Sequence, residues 1–423
     1  MRQDGCAENS RTGTEMVDLR RCVATLLALS VTVPLAACGK GDKPAPAAAA
    51  SVAPGAAAIP ESATTAAPVT LTVSPAAGQK DLPTSTEIGL KVGNGTVTSV
   101  RLTDAEGGTV AGALRPDGSS WVPARTLKNR QAYTAEVTAT GTDGTTTTAK
   151  TSFTTMAAGG RHTGTGLYLF DKQTYGVAMP VVVEFSPGIR KADRAAVQNR
   201  MFVETTPSQP GTWSWTSSGT AAYYRAPQYW QTGTRLKVRI AVGGLPTGKG
   251  LHGDRDRSAT STIGRKLEMK VENASKKMTV LQDGKVVRTM PVSLGKKSTP
   301  SSSGHMVIMD KMAQTVFDTT DTDPTGGYRV NIQYAQRLTW SGQYIHSAPW
   351  STYAQGHQNV SHGCVNVSPS NARWLFDKTL IGDPVTVQGT GDRLDYGNGW
   401  TPWDVSWEKF AAGSALPVPA GLG

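Results

Sequence analysis

Apolar side chains recur at every second position through most of this chain, a spacing that suits extended strands with one buried face and does not suit a helix. In the segment 68–156 the pattern runs through Val69, Leu71 and Val73, then Ile88, Leu90 and Val92, then Val100 and Leu102, then Tyr133, Ala135, Val137 and Ala139, with Gly, Asp and Asn at the breaks. Asp143-Gly144 between two Thr-rich runs is a hairpin signal. The segment 157–264 repeats the alternation in Val181, Val183, Phe185 and in Leu236, Val238, Ile240, Val242, interrupted at Lys191 to Asn199 by a stretch that suits one or two helical turns. The chain beyond residue 67 holds about 350 residues, enough for two to four folded units.

Each of these two blocks predicts a β-sandwich of immunoglobulin-like character, without the cysteine pair that antibody-type domains use. Substrate binding and rigid spacing are both open as their role. A third block, 265–390, opens with Leu267, Met269, Val271, a turn at Asn273 to Lys276, Met278 and Val280, a turn at Asp283-Gly284, then Val286, Met290, Val292 and Leu294, which predicts successive antiparallel strands. A short helix is predicted from Ser368 as N-cap and Pro369 as first residue, with Ala372, Leu375 and Phe376 inward and an end near Gly382, before a closing strand at Val385 and Val387. The tail 391–423 carries Trp400, Trp403 and Trp407 at roughly helical spacing. Such a stripe could stack on glycan, but burial against a neighbouring domain is the stronger expectation. The fold class expected is mainly β.

The N-terminal segment 1–38 reads as an export signal: Arg20 and Arg21 precede an apolar run from Val23 to Leu35 that is shorter than the ~20 residues of a spanning helix. Met16 is an alternative start to Met1. Leu35-Ala36-Ala37-Cys38-Gly39 is similar to the lipobox of bacterial lipoproteins, which implies acylation of Cys38. The segment 39–67, almost wholly Ala, Pro, Gly, Ser and Thr, has too little apolar area to order itself and predicts a disordered tether. The chain is therefore expected outside the cytoplasmic membrane, held by a lipid and facing the cell wall. Its formal charge of +11 is scattered, with no basic run interleaved with aromatics, so the expectation is attraction to anionic wall polymer and no nucleic-acid partner.

Of four cysteines, Cys6 and Cys22 precede the expected cut and Cys38 is committed to lipid, so Cys364 is left as a lone thiol. It lies in Ser361-His362-Gly363-Cys364-Val365-Asn366, near His346, His357 and His362. A thiol of ordinary pKa, about 8.5, is only a few per cent thiolate at neutral pH, and an imidazole that takes its proton raises the reactive fraction. His346, eighteen residues upstream at the end of an apolar strand, has the better reach. His362 shares a face with Cys364 if the segment is extended, and is expected to act mainly through its backbone and loop hydrogen bonds. The same His and Cys side chains could ligate zinc, but they lack the close pairing of structural zinc sites, and no metal or other cofactor is expected. His357 suits a loop hydrogen bond, and His162, His252 and His305 suit surface or packing roles.

His346-Ser347-Ala348-Pro349-Trp350, Gly356-His357 and Ser361 to Pro369 together resemble the motif of the L,D-transpeptidases of the YkuD family, in the multidomain actinobacterial form. The resemblance implies Cys364 as nucleophile, His346 as general base and acid, the Ser347 carbonyl as the group orienting that imidazole, and backbone N–H groups around His362, Gly363 and Cys364 as an oxyanion hole. It further implies that Asn366 orders the loop, that Tyr328 belongs to a flap hinged at Gly326-Gly327 after the loop Asp321 to Pro324, and that Tyr328, Ser361 and Trp350 meet substrate. The implied reaction is thioester formation on a peptidoglycan stem tetrapeptide with release of D-alanine, then transfer to an acceptor stem to give a 3→3 cross-link. An L,D-carboxypeptidase and a non-catalytic wall-binding lipoprotein are the alternatives; the intact motif argues against the second.

Overall fold

The computed structural model describes residues 67–318, 320 and 328–422. The signal segment, Cys38, the linker up to residue 66, the loop Asp321 to Pro324 and the hinge Gly326-Gly327 lie outside the described residues. The described part is mainly β, and its buried apolar residues fall into three clusters.

The first cluster, with Ile88, Leu102, Val137 and Phe153, lies between a four-stranded and a five-stranded sheet. The expected hairpin joins Ala132–Gly141 to Thr146–Thr155, with Gly144 at φ 80°. The second cluster, with Val181, Val183, Phe185, Leu236, Val238 and Ile240, sits among the strands of a six-stranded and a four-stranded sheet. Lys191–Asp193 and Arg194–Gln198 form the short helical turns anticipated there.

The third cluster is built on a six-stranded sheet ordered Lys285–Pro291, Lys277–Gln282, Leu267–Glu272, Pro384–Gln388, Ser302–Val307, Asp392–Arg393. A four-stranded sheet, Asp310–Asp318, Arg329–Arg337, Tyr344–Ser347 and Val365–Val367, accompanies it. Asp283 and Gly284 both have positive φ, as a tight hairpin turn requires. Val286 departs from the inward pattern: the register of Lys285–Pro291 shifts opposite Val280 and Leu281, so Met290 stays inward while Val286 is left 61% exposed.

The helix spans Pro369–Lys378, capped by the Ser368 hydroxyl, which accepts from the Asn371 N–H. It buries Ala372 and Leu375, whereas Phe376 is only half-buried, beside the Lys311 ammonium. It stops short of Gly382 because Thr379 turns extended and gives its hydroxyl to Gln336 Oε1 at 2.6 Å, while Lys311 Nζ donates to the carbonyls of Phe376 and Thr379.

The tryptophans of the tail do not share one helix. Trp403 lies in the turn Pro402–Asp404 and Trp407 opens the helix Trp407–Ala411. Both pack on the buried guanidinium of Arg225, which lies 4.6 Å from the Trp403 ring and donates to the carbonyls of Pro402 and Val405. Trp403 Nε1 donates to the Ala178 carbonyl at 2.7 Å, and Trp400 is buried in the second cluster with Val307 and Met309 from the third block. The tail thus docks by burial, as the apolar stripe suggested. Its other side holds the third block: Asp404 Oδ1 accepts from the His305 N–H, and Asn398 brackets Ser341. Removing the Trp403 ring costs packing, a cation–π contact and a hydrogen bond together. Trp403→Ala is expected to lose about 2–4 kcal/mol, read by calorimetry as a melting transition lowered by several degrees.

Candidate active site

Tyr344–Ser347 and Val365–Val367 pair in parallel, with Ile345 opposite Val365 and His346 opposite Asn366. In a parallel pair, opposite residues point to the same face and alternate along each strand. His346 and Asn366 therefore share a face, and Cys364, one residue before the strand begins, falls on that face as well. All three line one cavity of about 410 Å³.

His346 is 3% exposed, and its Nδ1 lies 2.9 Å from the Ser347 carbonyl. A carbonyl can only accept, so Nδ1 carries the proton and Nε2 is the acceptor of the neutral ring. Burial holds the His346 pKa below the usual imidazole value, opposed by the Ser347 carbonyl. The ring is wedged edge-on against Phe317 and lies 6.0 Å from the ring of Trp350.

The thiol of Cys364 directs its S–H at the Gly342 carbonyl, 3.7 Å away. Burial pushes its pKa up to about 11, with a smaller opposing contribution from the Tyr344 backbone N–H. Burial thus favours the uncharged form of both the Cys364 thiol and the His346 imidazole, whereas the spacing alone suggested a thiol whose proton the imidazole takes. A buried site without substrate favours the uncharged pair.

The segment before Val365 is not extended, because Gly363 turns at φ 119°, a left-handed value that side chains resist. The condition under which His362 would share a face with Cys364, an extended segment, is therefore not met. Its ring is exposed, sits 3.0 Å from Lys296 Nζ and packs 5.4 Å from the ring of Tyr328 at the cavity wall. Ser361 also lines the cavity, but its hydroxyl is spent inside the loop, donating to the Cys364 carbonyl at 2.7 Å and accepting from the Gly363 N–H at 3.2 Å. Asn366 is 3% exposed and ties the loop through Nδ2 to Ser351 Oγ at 3.1 Å, and its backbone pairs with Ser293.

Tyr328 and Trp350 line the cavity as anticipated, whereas His357 lies outside it, exposed, its backbone N–H donating to Ala354. His305 reaches Thr386 Oγ1 at 3.2 Å, and His162 lies opposite His252 in a strand pair of the second block. Among the described residues no group of three or more His, Cys, Asp or Glu side chains converges as metal ligands would. Phe317, Val330, Ile332, Tyr353 and Val360 also wall the cavity and were not singled out from the sequence. The alternation of Val330 and Ile332 on Arg329–Arg337 was a signal for one shared face, but not for which face meets the thiol. No Asp, Glu, Lys or Arg is among the described lining residues, so the cavity is a neutral, aromatic-walled slot with polar groups at its floor.

Known proteins resemble this chain over most of its length. The family model described as the L,D-transpeptidase catalytic domain matches residues 268–387, and that of a bacterial Ig domain matches residues 79–246. L,D-transpeptidase 2 of Mycobacterium tuberculosis is 31% identical over 404 residues, spanning 94% of this chain and 96% of that protein. L,D-transpeptidase 5 of the same organism is 33% identical over 359 residues, spanning 83% of this chain and 78% of its own length. A crystal structure of L,D-transpeptidase 3 from Mycobacterium tuberculosis, in complex with a faropenem-derived adduct, is 29% identical and covers 53% of this chain and 97% of its own, with a TM-score of 0.44. With relatedness running through almost the whole length of L,D-transpeptidase 2, and the cysteine and histidine motif folded into one cavity, the chain belongs to the L,D-transpeptidases of the YkuD family.

Proposed function

We propose that this enzyme forms 3→3 cross-links in peptidoglycan by a thioester route through Cys364. The observation that carries the reading is the presence of the Cys364 thiol and of His346, whose Nε2 is free to accept a proton, in the lining of one cavity. When a stem tetrapeptide enters, His346 Nε2 takes the thiol proton as the sulfur attacks the carbonyl of the third residue, a diaminopimelate. The oxygen becomes an anion and is received by backbone N–H groups of the His362 to Cys364 loop. As the C–N bond to the terminal D-alanine breaks, the imidazolium returns its proton to the leaving amine, and a thioester remains. The side-chain amine of an acceptor stem then attacks the thioester, gives a proton to His346 and displaces the thiolate, which recovers that proton.

The neutral pair suits this sequence. Charge appears only when substrate displaces water and the anion has donors waiting, which limits futile reaction of the thiol. Tyr328 against His362, and exposed Trp350 and Tyr353 at the rim, are the side chains available to hold the two stems and exclude water. Segments 68–156 and 157–264 are assigned as immunoglobulin-like domains, 265–390 as the catalytic domain and 391–423 as its tail. Export and lipid attachment at Cys38 complete the reading, with peptidoglycan stems as partners.

Incubation with a carbapenem followed by intact-mass measurement is expected to give one covalent adduct, absent in Cys364→Ala and slowed at least about a hundredfold in His346→Ala. A folded wild-type chain without adduct would favour a wall-binding protein. Product analysis with and without an added acceptor separates transfer from the L,D-carboxypeptidase outcome. Alkylation of the resting enzyme by iodoacetamide should climb about tenfold per pH unit well past the pKa of about 8.5 of an ordinary thiol, because the Cys364 pKa is raised to about 11. A plateau below pH 8 would contradict the neutral resting thiol. Cys38→Ser should move the expressed protein from the detergent phase to the aqueous phase on Triton X-114 partition.

A further inference from the structure

The nucleophile loop depends on a peptide unit that nothing covalent makes stiff. Gly363 has no side chain, sits at φ 119° and has no closer neighbour for a Cβ than Gln343 Cγ at 3.6 Å. Left alone, the peptide joining Gly363 to Cys364 could tilt over a wide range. Its carbonyl is held from one side: Ser301 Oγ donates to the Gly363 oxygen at 2.7 Å. That hydroxyl is itself held, because it accepts from the Gly295 N–H at 2.9 Å and is 1% exposed. Gly295 in turn bridges to Ser361, with Lys296 N–H donating to the Ser361 carbonyl and Ser361 N–H to the Leu294 carbonyl.

A trans peptide is planar, and its C=O and N–H point in opposite directions. Pinning the Gly363 oxygen therefore aims the Cys364 N–H. The neighbouring N–H of Gly363 is already engaged by Ser361 Oγ, so the Cys364 N–H is the donor whose direction decides how well an anion is received next to the sulfur. We infer that Ser301 is the positioning residue for the oxyanion donor: its buried hydroxyl locks the Gly363–Cys364 peptide and presents the Cys364 N–H to the transition state. The inference rests on the acyl-transfer reading above. Ser301 touches neither the sulfur nor the imidazole, and none of the motif residues reveals it.

The same segment also holds the far side of the thiol. Ser302 N–H donates to Gln343 Oε1 at 3.0 Å and Gln343 Nε2 returns a bond to Ser302 Oγ, beside Gly342, whose carbonyl takes the Cys364 S–H.

The test compares wild type with Ser301→Ala, Ser301→Thr and Ser301→Val, the last two matching each other in shape and differing in the hydroxyl. Three rates are measured: D-alanine release from a tetrapeptide, acylation by a carbapenem, and alkylation by iodoacetamide, which passes through no oxyanion. Loss of an aimed donor should lower kcat and carbapenem acylation by about tenfold to a hundredfold, leaving KM and alkylation within about twofold. Thr should restore the rate and Val should not. If Ala fails to fold, the Thr and Val pair carries the comparison. Activity in Val equal to wild type, equal loss in Thr and Val, or alkylation falling as far as acylation would each overturn the inference. A wild type that is acylated but makes no cross-links removes only the transfer reading, and the acylation rates still decide the role of Ser301. A wild type that neither releases D-alanine nor is acylated removes both.

Discussion

Everything at the active site depends on one short parallel strand pair, Tyr344–Ser347 with Val365–Val367. Parallel strands cannot be joined by a tight turn, so the chain must cross over between them. Residues 348–364 make that crossing, and from it come Trp350, Ser351, Tyr353, Val360, Ser361 and His362, most of one side of the cavity. The pairing thus sets His346 and Cys364 on one face and generates the wall around them. The crossing is braced from within, Gln355 and Ser351 reaching back to the Ala348 carbonyl and Asn366 to Ser351.

Burial then decides the resting electrostatics. A thiolate–imidazolium pair would need solvation that a neutral, aromatic-walled slot does not supply, so both groups stay uncharged and their pKa values move apart, up for Cys364 and down for His346. The Ser347 carbonyl chooses the tautomer without supplying a full negative charge. On the proposed thioester route, catalytic power then comes from preorganised N–H donors meeting charge as it forms.

The second block is linked to the cavity through the tail. Arg225 of the second block, sandwiched by Trp403, Trp407 and Phe410, fastens the tail. The tail in turn grips His305 through Asp404 and Ser341 through Asn398. Ser341 adjoins Gly342, whose carbonyl receives the thiol hydrogen. A chain of contacts thus runs from the second block through the tail to the loop whose Gly342 carbonyl meets the Cys364 thiol.

Much was legible beforehand because β periodicity and motif chemistry are local. Alternation marked the strands of all three blocks, Ser368-Pro369 marked the helix start, and the lone thiol with its upstream histidine marked the chemistry. What failed was where long-range contacts overrule local pattern. A register shift opposite Val280 and Leu281 turns Val286 outward, the helix ends early because Thr379 finds Gln336 and Lys311 caps the last carbonyls, and Gly363 breaks the extension between His362 and Cys364. The amino-acid order by itself determined the class of fold and marked Cys364 and His346 as the pair to expect at the site, since these depend on residue type and spacing. Only the tertiary structure decided the burial of that pair, the walls of the cavity and the hydrogen bond from Ser301 to the Gly363 carbonyl, because burial and the aim of a peptide plane are properties of neighbours far apart along the chain.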